Sequence, residues 1–349
     1  MKRILALIMA ACMIFALCGC GSSTNDGSTA APAADAQQSG SADTTVYEFS
    51  MNTAYDVNSP MCIAAQKFCD DVLAASDGRL KINLFTNSAL GSEKESYIAV
   101  AGDELDFTIA GCLGLDMYAP AYSFLSAPFL FKNMDHIRAV MNSELGEGMK
   151  QDFLEDNIRT VSIGWRAPRV MSSNRPVYTP DDLAGLKMRV SEMSSWVSIW
   201  GPDTLGATAI TVALGELYNA LQTGVAEASE GPYEQLATYK FYEVQDYVIN
   251  TDHVYEWVGM FMSDKAYQSL PEDLQKIIDD YAEVDFNQYC TQLSEELSDS
   301  FLKELTDNGM TVIDPDCDLF REKAFDSYEK WFADTWTVTS FDEIMSYAE

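Results

Sequence analysis

Residues 169–190 read RVMSSNRPVYTPDDLAGLKMRV and combine a strand, a helix start and a second strand. Arg169–Ser173 is strand-like. The motif Thr-Pro-Asp-Asp at residues 179–182 then predicts a helix, because a hydroxyl caps free N–H groups, proline suits the first helical position and acids favour the positive end of the helix dipole. Gly185 ends this turn, and residues 186–190 are again strand-like. This succession predicts an α/β fold.

The rest of the chain continues the alternation. Strand-like segments lie at residues 46–51, Leu80–Phe85, 105–110, 161–165 and 225–229, and helix-like segments at Pro60–Ala75, Glu93–Ala101, 215–222 and from Pro232 onward. Because the connections are short, this order favours mostly parallel sheets covered by helices.

A single long helix is predicted after Pro271. Ser269 and Glu272 form a capping-box pattern, and no glycine or proline follows Pro271 before Gly309. A helix over residues 271–307 would be about 55 Å long. Its apolar positions fit a packed amphipathic face better than the heptad of a coiled-coil dimer; they are Leu274, Ile277, Ile278, Tyr281 and Val284. We therefore expect a brace that spans two lobes.

The first 45 residues predict export and attachment to a membrane. Lys2 and Arg3 precede an apolar run at residues 4–17 that is short for a membrane span. The following Cys-Gly-Cys at residues 18–20 resembles the lipobox of bacterial lipoproteins. We expect a signal peptide at residues 1–19, a lipid on Cys20, and a flexible tether at residues 20–45 that has few apolar side chains to bury. An ordinary signal peptide or an uncleaved anchor is the alternative. The rest of the protein would then lie outside the cytoplasm, held at the cell membrane.

The charge of the chain excludes some partners and singles out one region. With 54 acidic and 22 basic residues the formal net charge is −32, which disfavours nucleic acid and anionic lipid. Residues 164–190 nevertheless hold five basic residues against two aspartates. Arginine can hold a carboxylate through two parallel hydrogen bonds. If the chain binds an anion, we therefore expect the site in this basic segment.

The sequence offers few groups for catalysis or metal binding. Only two histidines are present, and there is no Cys-x-x-Cys pair and no glycine-rich phosphate loop. We expect no metal, no cofactor and no enzymatic activity, with a secreted hydrolase or lyase as a minor alternative. Five cysteines follow the predicted tether, and we expect unpaired thiols.

Five motifs together resemble the extracytoplasmic, DctP-type solute-binding proteins of TRAP transporters. They are LG at residues 90–91, RVMSSNR at 169–175, TPDDLAGLKMRV at 179–190, GELYNALQTG at 215–224 and FYEVQ at 241–245. The resemblance covers nearly the whole chain from residue 46 onward. It implies a two-lobed, periplasmic-binding-protein-like α/β fold with mixed sheets, strands that cross between the lobes, and ligand in the cleft. Lobe I would comprise residues 46–166 with part of 255–300, and lobe II residues 167–254 with 300–349 packed on it.

The resemblance also implies a binding mode. Arg189 matches the strand-borne arginine that holds the ligand carboxylate, and Arg169 matches a second arginine that assists it. The loaded receptor would dock on the small and large membrane subunits of a sodium-coupled transporter. Three positions depart from the family pattern. Gly231 stands where many members have an asparagine, which leaves room or exposes backbone. Gly111 stands where some sugar-acid binders have an acid, and Leu214 where an aromatic residue is common. We therefore expect the ligand to be a carboxylate but leave its class open. The candidates are C4-dicarboxylates, sugar acids, keto or hydroxy acids, and aromatic acids.

Four further residues are candidates for the ligand site. Asn52 ends the first strand, where ligands gather in open α/β sheets, although asparagine equally suits a turn. Glu192 and Trp196 follow the second strand of the basic segment and would line the cleft, with a core position as the alternative for Trp196. Glu230 would accept a ligand hydroxyl or remain a solvated acid.

Arg166 and Arg169 lie three residues apart. Because positions an odd number apart face opposite sides of a strand, we expect only one of the two arginines at the site. The sequence as a whole predicts a membrane-tethered receptor that delivers a small organic acid to a TRAP transporter. A receptor for an ABC importer or a sensor kinase is the main alternative.

Overall fold

Two mixed β-sheets organise residues 44–348, which are the residues that the computed structural model describes. The predicted signal peptide, the lipid on Cys20 and nearly all of the predicted tether lie outside these residues. The strands are β1 Tyr47–Thr53, β2 Leu80–Phe85, β3 Phe107–Ala110, β4 Ile158–Trp165, β5 Arg169–Ser173, β6 Lys187–Val190, β7 Thr208–Thr211, β8 Ala228–Gly231, β9 Tyr247–Val254, β10 Trp257–Ser263 and β11 Thr311–Ile313.

Helices cover both sheets. They are α1 Pro60–Ala75, α2 Glu93–Ala101, α3 Leu113–Tyr118, α4 Met134–Met141, α5 Glu144–Glu155, α6 Ser194–Trp200, α7 Leu214–Gln222, α8 Tyr233–Thr238, α9 Asp264–Gln268, α10 Glu272–Tyr281, α11 Tyr289–Asp307, α12 Cys317–Phe325, α13 Tyr328–Asp334 and α14 Phe341–Ser346. Short 3-10 helices occupy Pro120–Ser126, Pro180–Leu183 and Phe241–Glu243, and a π-helix occupies Ala282–Gln288.

Local signals explain where several helices begin. The Ser59 side chain accepts a hydrogen bond from the Cys62 N–H at the start of α1, with Pro60 in the first turn. At the start of α2, Ser92 and Glu95 form a reciprocal capping box. Thr179 and Asp182 form another, but the helix after it is only the four-residue 3-10 turn. The predicted bounds of α1 and α2 are confirmed because capping is a property of neighbouring residues.

The sheets are mixed rather than mostly parallel. In the first sheet the order is β2-β1-β3-β10-β4, and β10 is antiparallel to both of its neighbours. In the second the order is β11-β9-β5-β8-β6-β7, and β5 is antiparallel to both of its neighbours. The expectation of mostly parallel sheets was wrong because β5 and β10 each arrive directly from the other sheet, without a helical crossover.

Two short segments connect the two lobes built on these sheets. Residues 166–168 join β4 of the first sheet to β5 of the second, and residues 255–256 join β9 of the second sheet to β10 of the first. The Arg166 N–H donates to the Glu256 carbonyl across these segments at 3.0 Å. The described chain is therefore a two-lobed α/β protein whose lobes share two adjacent crossings.

The helical segment from Glu272 to Asp307 contacts both lobes. Its α11 part packs on α1 and β4 of the first lobe and on α8 of the second. The π-helix between α10 and α11 changes the face that points inward. Phe286 and the Asp285 side chain are buried there, and Asp285 pairs with Lys67 of α1 at 2.6 Å. Val284 was expected on the packed face but is 53% exposed, because the wider π turn rotates it outward.

The C-terminal segment contacts the second sheet and also residues 123–128. Strand β11 pairs with β9 of the second sheet. The Trp336 indole, however, donates to the Ser123 hydroxyl at 2.9 Å, and the Tyr328 hydroxyl donates to the Pro128 carbonyl. Both acceptors lie in the range expected to form lobe I.

The thiols and the hydropathy of residues 44–348 add two observations. All five cysteines in this range are free, and four of them are buried. No helix here has both the length and the apolar character that crossing a bilayer would require.

Candidate ligand-binding site

A cavity lies between the two lobes at the level of the crossing segments. Its lining comes from the first lobe, from the second lobe and from both crossings; the residues are Tyr55, Glu93, Gly111, Cys112, Arg166, Arg169, Arg189, Ser191, Trp196, Leu214, Gln235 and Glu256. The cavity holds about 40 Å³ of water-accessible space. That is room for roughly three ordered waters, so the lobes must separate before a ligand of several carbons can enter.

Arg189 reaches this cavity from β6, the strand between β7 and β8. Its Nε donates to the Val212 carbonyl at 2.9 Å, and its Nη1 lies 3.6 Å from Glu230 Oε1. The residue is only 6% exposed, and burial lowers the pKa of Arg189 against the opposing effect of Glu230. A buried guanidinium with one distant counter-charge is suited to receive an anion.

Arg169 and Arg166 both line the cavity, and both are buried in ion pairs. Arg169 Nη1 donates to Glu256 Oε1 at 2.6 Å, and its Nε pairs with Glu230. Arg166 Nη1 lies 2.8 Å from Glu256 Oε2, and its Nε donates to Glu234 at 3.0 Å. Burial alone would lower the pKa of Arg166, but Glu234 and Glu256 outweigh it and hold the pKa well above its ordinary value.

The expectation that only one of these two arginines reaches the site was therefore wrong. The argument assumed one continuous strand, whereas β4 ends at Trp165 and β5 begins at Arg169. The intervening crossing, which contains Pro168, breaks the alternation of faces. Arg169 is also already paired with two glutamates, and its assisting role toward a ligand stays a prediction.

Glu230 lies behind the arginines and does not line the cavity. It is fully buried on β8, with Arg169 Nε paired to it and His253 Nε2 at 3.6 Å. Burial would raise the pKa of Glu230, but Arg169 and His253 lower it to about 2. The alternative of a solvated acid was therefore wrong, because Glu230 is a buried anion beside Arg169 and Arg189. Its contact with a ligand stays a prediction.

Trp196 and Leu214 form the apolar part of the lining. The Trp196 indole donates to the Ser126 carbonyl at 2.8 Å, and Arg169 lies over its ring at 5.0 Å from the ring centre. Trp196 is thus both a core residue and a wall of the cavity, and its ring attracts the Arg169 guanidinium that lies over it. Leu214 is half-buried at the start of α7.

Gly231 does not leave the room that was expected. A Cβ atom on Gly231 would lie 2.3 Å from Gln235 Nε2, so the Gln235 side chain already fills this space. Gln235 Nε2 donates to the Glu230 carbonyl at 3.2 Å, and Gln235 lines the cavity. An amide therefore stands close to the position of the family asparagine, but it is supplied from α8.

Gly111 opens space that acidic and phenolic groups border. A Cβ atom there would lie 3.0 Å from the Tyr55 hydroxyl, 3.5 Å from Glu93 Oε1 and 3.7 Å from Glu256 Oε1. Carboxylates from α2 and from the second crossing thus border the space that a side chain at position 111 would occupy.

Asn52 and Glu192 do not line the cavity. The Asn52 amide donates to the Gly91 carbonyl and to the Ser96 hydroxyl, and its Oδ1 accepts the Leu90 N–H, so it holds the loop before α2. In this structure its side chain is thus engaged away from the cavity, and the ligand role expected for Asn52 stays a prediction. Glu192 lies at an adjacent opening and pairs with Lys94 of α2 at 2.8 Å.

Sequence reasoning missed most of the lining from the first lobe and the crossings, and Gln235 of the second lobe. Tyr55, Glu93, Gln235 and Glu256 were not predicted. The carboxyl end of β1 was a usable signal, since Tyr55 follows it by two residues. Nothing local marks Glu256, whose partners are about 90 residues away. Among residues 44–348, no group of three or more His, Cys, Asp or Glu side chains is arranged to hold a metal ion.

Comparisons with known proteins match this architecture. The family model for bacterial extracellular solute-binding proteins, family 7 (DctP), matches residues 50–335. A solute-binding protein of Roseobacter denitrificans is 32% identical over 266 residues, which cover 76% of this chain and 81% of the relative. A solved TRAP periplasmic solute-binding protein from the same species, with bound L-galactonate, has a TM-score of 0.79 and 28% identity, covering 86% of this chain and 98% of its own.

A second solved TRAP periplasmic solute-binding protein comes from Bordetella bronchispeptica, with density assigned to pantoate. It has a TM-score of 0.79 and 26% identity, again covering 86% of this chain and 98% of its own. The matches extend over both lobes and both crossings. The protein therefore belongs to family 7 of the bacterial extracellular solute-binding proteins, the DctP family of TRAP transporter receptors.

Proposed function

We propose that this receptor binds a small organic acid through Arg189 and delivers it to the membrane subunits of a TRAP transporter. The observation that carries the proposal is a buried guanidinium in the interlobe cavity whose nearest protein carboxylate oxygen is 3.6 Å away. A ligand carboxylate would supply the close anion that Arg189 lacks. Closure of the lobes excludes water and strengthens this ion pair.

The relatives support an acid as the ligand. One solved neighbour holds L-galactonate and another has density assigned to pantoate, and both molecules are carboxylates that carry hydroxyl groups. The chemistry is binding and release, because the cavity offers no nucleophile with a matched base.

Attachment to the membrane through a lipid on Cys20 belongs to the same proposal. A Cys20→Ala variant should leave the membrane fraction, and mass spectrometry of the wild-type N-terminus should find a diacylglyceryl group on Cys20. Retention of the variant in the membrane would reject the lipid anchor without touching the ligand site.

A binding screen tests the proposed ligand class. Residues 44–349 form one compact unit by internal contacts, and this part can be screened by thermal shift against small carboxylic acids. A ligand at a hundredfold over its Kd should stabilise the protein by about 2.7 kcal/mol, a shift of a few degrees. The ligand should be recovered chemically unchanged, and binding should be lost in Arg189→Ala. If no acid binds, the proposal fails; if the acid is converted, the receptor role without catalysis fails.

A further inference from the structure

The charged side chains at the cavity do not balance one another. Three arginines (Arg166, Arg169 and Arg189) face four glutamates (Glu93, Glu230, Glu234 and Glu256). Each arginine pairs with Glu230, Glu234 or Glu256 within 4.0 Å. Among residues 44–348, Glu93 is the cavity carboxylate that forms no ion pair within that distance. One negative charge is thus left over on the cavity wall.

Glu93 is well placed to act on a ligand. It is the first residue of α2, where the helix dipole favours an acid, and it lines both the cavity and the adjacent opening beside Arg189. Because Gly111 has no side chain, Glu93 Oε1, Glu256 Oε1 and the Tyr55 hydroxyl border the same open space. No nitrogen of Arg189 lies within 4.0 Å of Glu93. The Arg189 guanidinium and the oxygen acceptors around Glu93 are therefore separate parts of the cavity wall.

A ligand whose carboxylate contacts Arg189 can therefore direct its remaining atoms toward these oxygen acceptors, since the other two arginines of the lining, Arg166 and Arg169, are already paired with glutamates. A hydroxyl or ammonium group there donates a hydrogen bond to a carboxylate, which is among the stronger hydrogen bonds in proteins. A second carboxylate would place a further negative charge beside Glu93 and Glu256 in a site with little water, which is strongly unfavourable.

We propose that Glu93, with Glu256, restricts this receptor to monocarboxylates that carry hydrogen-bond donors and excludes dicarboxylates. This inference rests on the proposed function and names its ligand class. Glu93 is then a specificity-determining residue, and Gly111 is the position whose missing side chain exposes it.

Matched pairs of ligands test the restriction. Galactonate and galactarate differ only in a terminal CH₂OH replaced by a carboxylate, as do D-erythronate and meso-tartrate. At pH 7.5 the monocarboxylate of a pair that binds should bind at least tenfold more tightly by calorimetry. An amino acid and a deoxy acid of similar length, added to the same series, distinguish ammonium from hydroxyl donors and test whether a donor is needed.

In the Glu93→Gln variant, the ratio of the dicarboxylate Kd to the monocarboxylate Kd within each pair should fall by at least tenfold. The substitution removes the carboxylate charge that has no ion pair and keeps the shape of the side chain. Glu104→Gln, an exposed acid in the turn after α2, is the control and should keep the wild-type preference. Thermal unfolding of all variants establishes that they fold.

The pH dependence gives a second readout. The titratable and charged groups that face Glu93 are Glu256, Arg166, Arg169, Arg189, Tyr55, Tyr97 and Cys112. Burial, followed by Glu256, raises the pKa of Glu93 above its ordinary value. Dicarboxylate binding to the wild type should therefore tighten as the pH falls and Glu93 takes up a proton, and this trend should be absent in Glu93→Gln.

Equal binding of both members of every pair, or an unchanged preference in Glu93→Gln, would overturn the inference while leaving the proposed function intact. Binding of none of these acids, nor of any acid in the wider screen, would overturn both.

Discussion

Arg189 is the residue on which the binding proposal depends most. Arg189→Ala should weaken binding of the ligand acid by at least about 2 kcal/mol, or roughly 30-fold, because the carboxylate is left buried without its partner. Arg189→Lys should also lose much of the affinity, since an ammonium lacks the two-pronged geometry. Calorimetric Kd values measure both effects. Arg175→Ala is the matched control, because its guanidinium is exposed and bonded to the Asp182 and Ala184 carbonyls; an unchanged Kd in Arg189→Ala would reject the assignment.

Glu230 is expected to matter for stability more than for contact with the ligand. Glu230→Gln leaves Arg169 and Arg189 buried with less counter-charge, and should lower the free energy of unfolding by about 3–5 kcal/mol in urea titrations. The control is Glu296→Gln, at an exposed acid on α11, which should change the free energy of unfolding by less than about 0.5 kcal/mol. A small loss in Glu230→Gln, comparable to that of the control, would mean that the arginines find other partners.

The same carboxylate predicts a pH dependence. The pKa of Glu230 is lowered to about 2 in the folded protein, from an ordinary value of 4.5. A carboxyl group with a depressed pKa contributes its stability above pH 4.5 and loses it as the pH falls through about 2. Between pH 4.5 and about 2, the free energy of unfolding should therefore fall less in Glu230→Gln than in the wild type. Acid unfolding followed by circular dichroism measures this difference. Identical acid unfolding curves, after allowing for the lower starting stability, would contradict the assignment.

At the scale of elements, the long helical segment is held against the first sheet by a close approach. A Cβ atom on Gly164 of β4 would lie 3.1 Å from Cys290 Sγ on α11. Gly164→Ala should therefore lower the free energy of unfolding by about 1–3 kcal/mol through overpacking. Adding Cys290→Ala should recover part of that loss, because it removes the Sγ atom, whereas the Cβ atom of residue 290 at 3.2 Å remains. Urea unfolding of both single variants and the double variant measures the coupling, and strictly additive effects would show that the two sites do not touch.

At the scale of the whole molecule, the described structure is a closed one. Lys94 of the first lobe pairs with Glu192 of the second at the opening of the cleft, with both side chains substantially exposed. Asp116 likewise accepts the Ser194 N–H across the lobes. Such contacts exist only when the lobes are together, so they favour the closed state by a small amount.

Lys94→Gln should accordingly weaken ligand binding by no more than about fivefold, mainly through faster dissociation. In 1 M salt, where the Debye length is about 3 Å, the variant and the wild type should bind the ligand equally tightly and release it at the same rate. Stopped-flow dissociation rates at low and high salt provide the measurement, and Lys276→Gln, whose partner Asp280 lies on the same helix, is the control. A loss that persists in high salt would mean that Lys94 acts other than through this ion pair.

The sequence by itself determined the elements and the fold class. The caps of α1 and α2, the turn at Thr179 and the alternation of strands depend on residues within a few positions of one another, and these predictions agree with the structure. The family motifs are also continuous in sequence, which is why the two-lobed fold and the receptor family could be predicted without coordinates. Arg189 was named from such a motif.

Only the tertiary structure decided which side chains meet at the cavity. Arg166 pairs with Glu234 and Glu256, and Gln235 fills the space above Gly231, through contacts that no local pattern records. The outward turn of Val284 likewise follows from the π-helix rather than from hydropathy. Burial and ion pairing depend on groups that the fold brings together from distant parts of the chain, whereas caps and strand alternation depend on neighbours. For that reason the unpaired carboxylate of Glu93 became visible only once both lobes were in place.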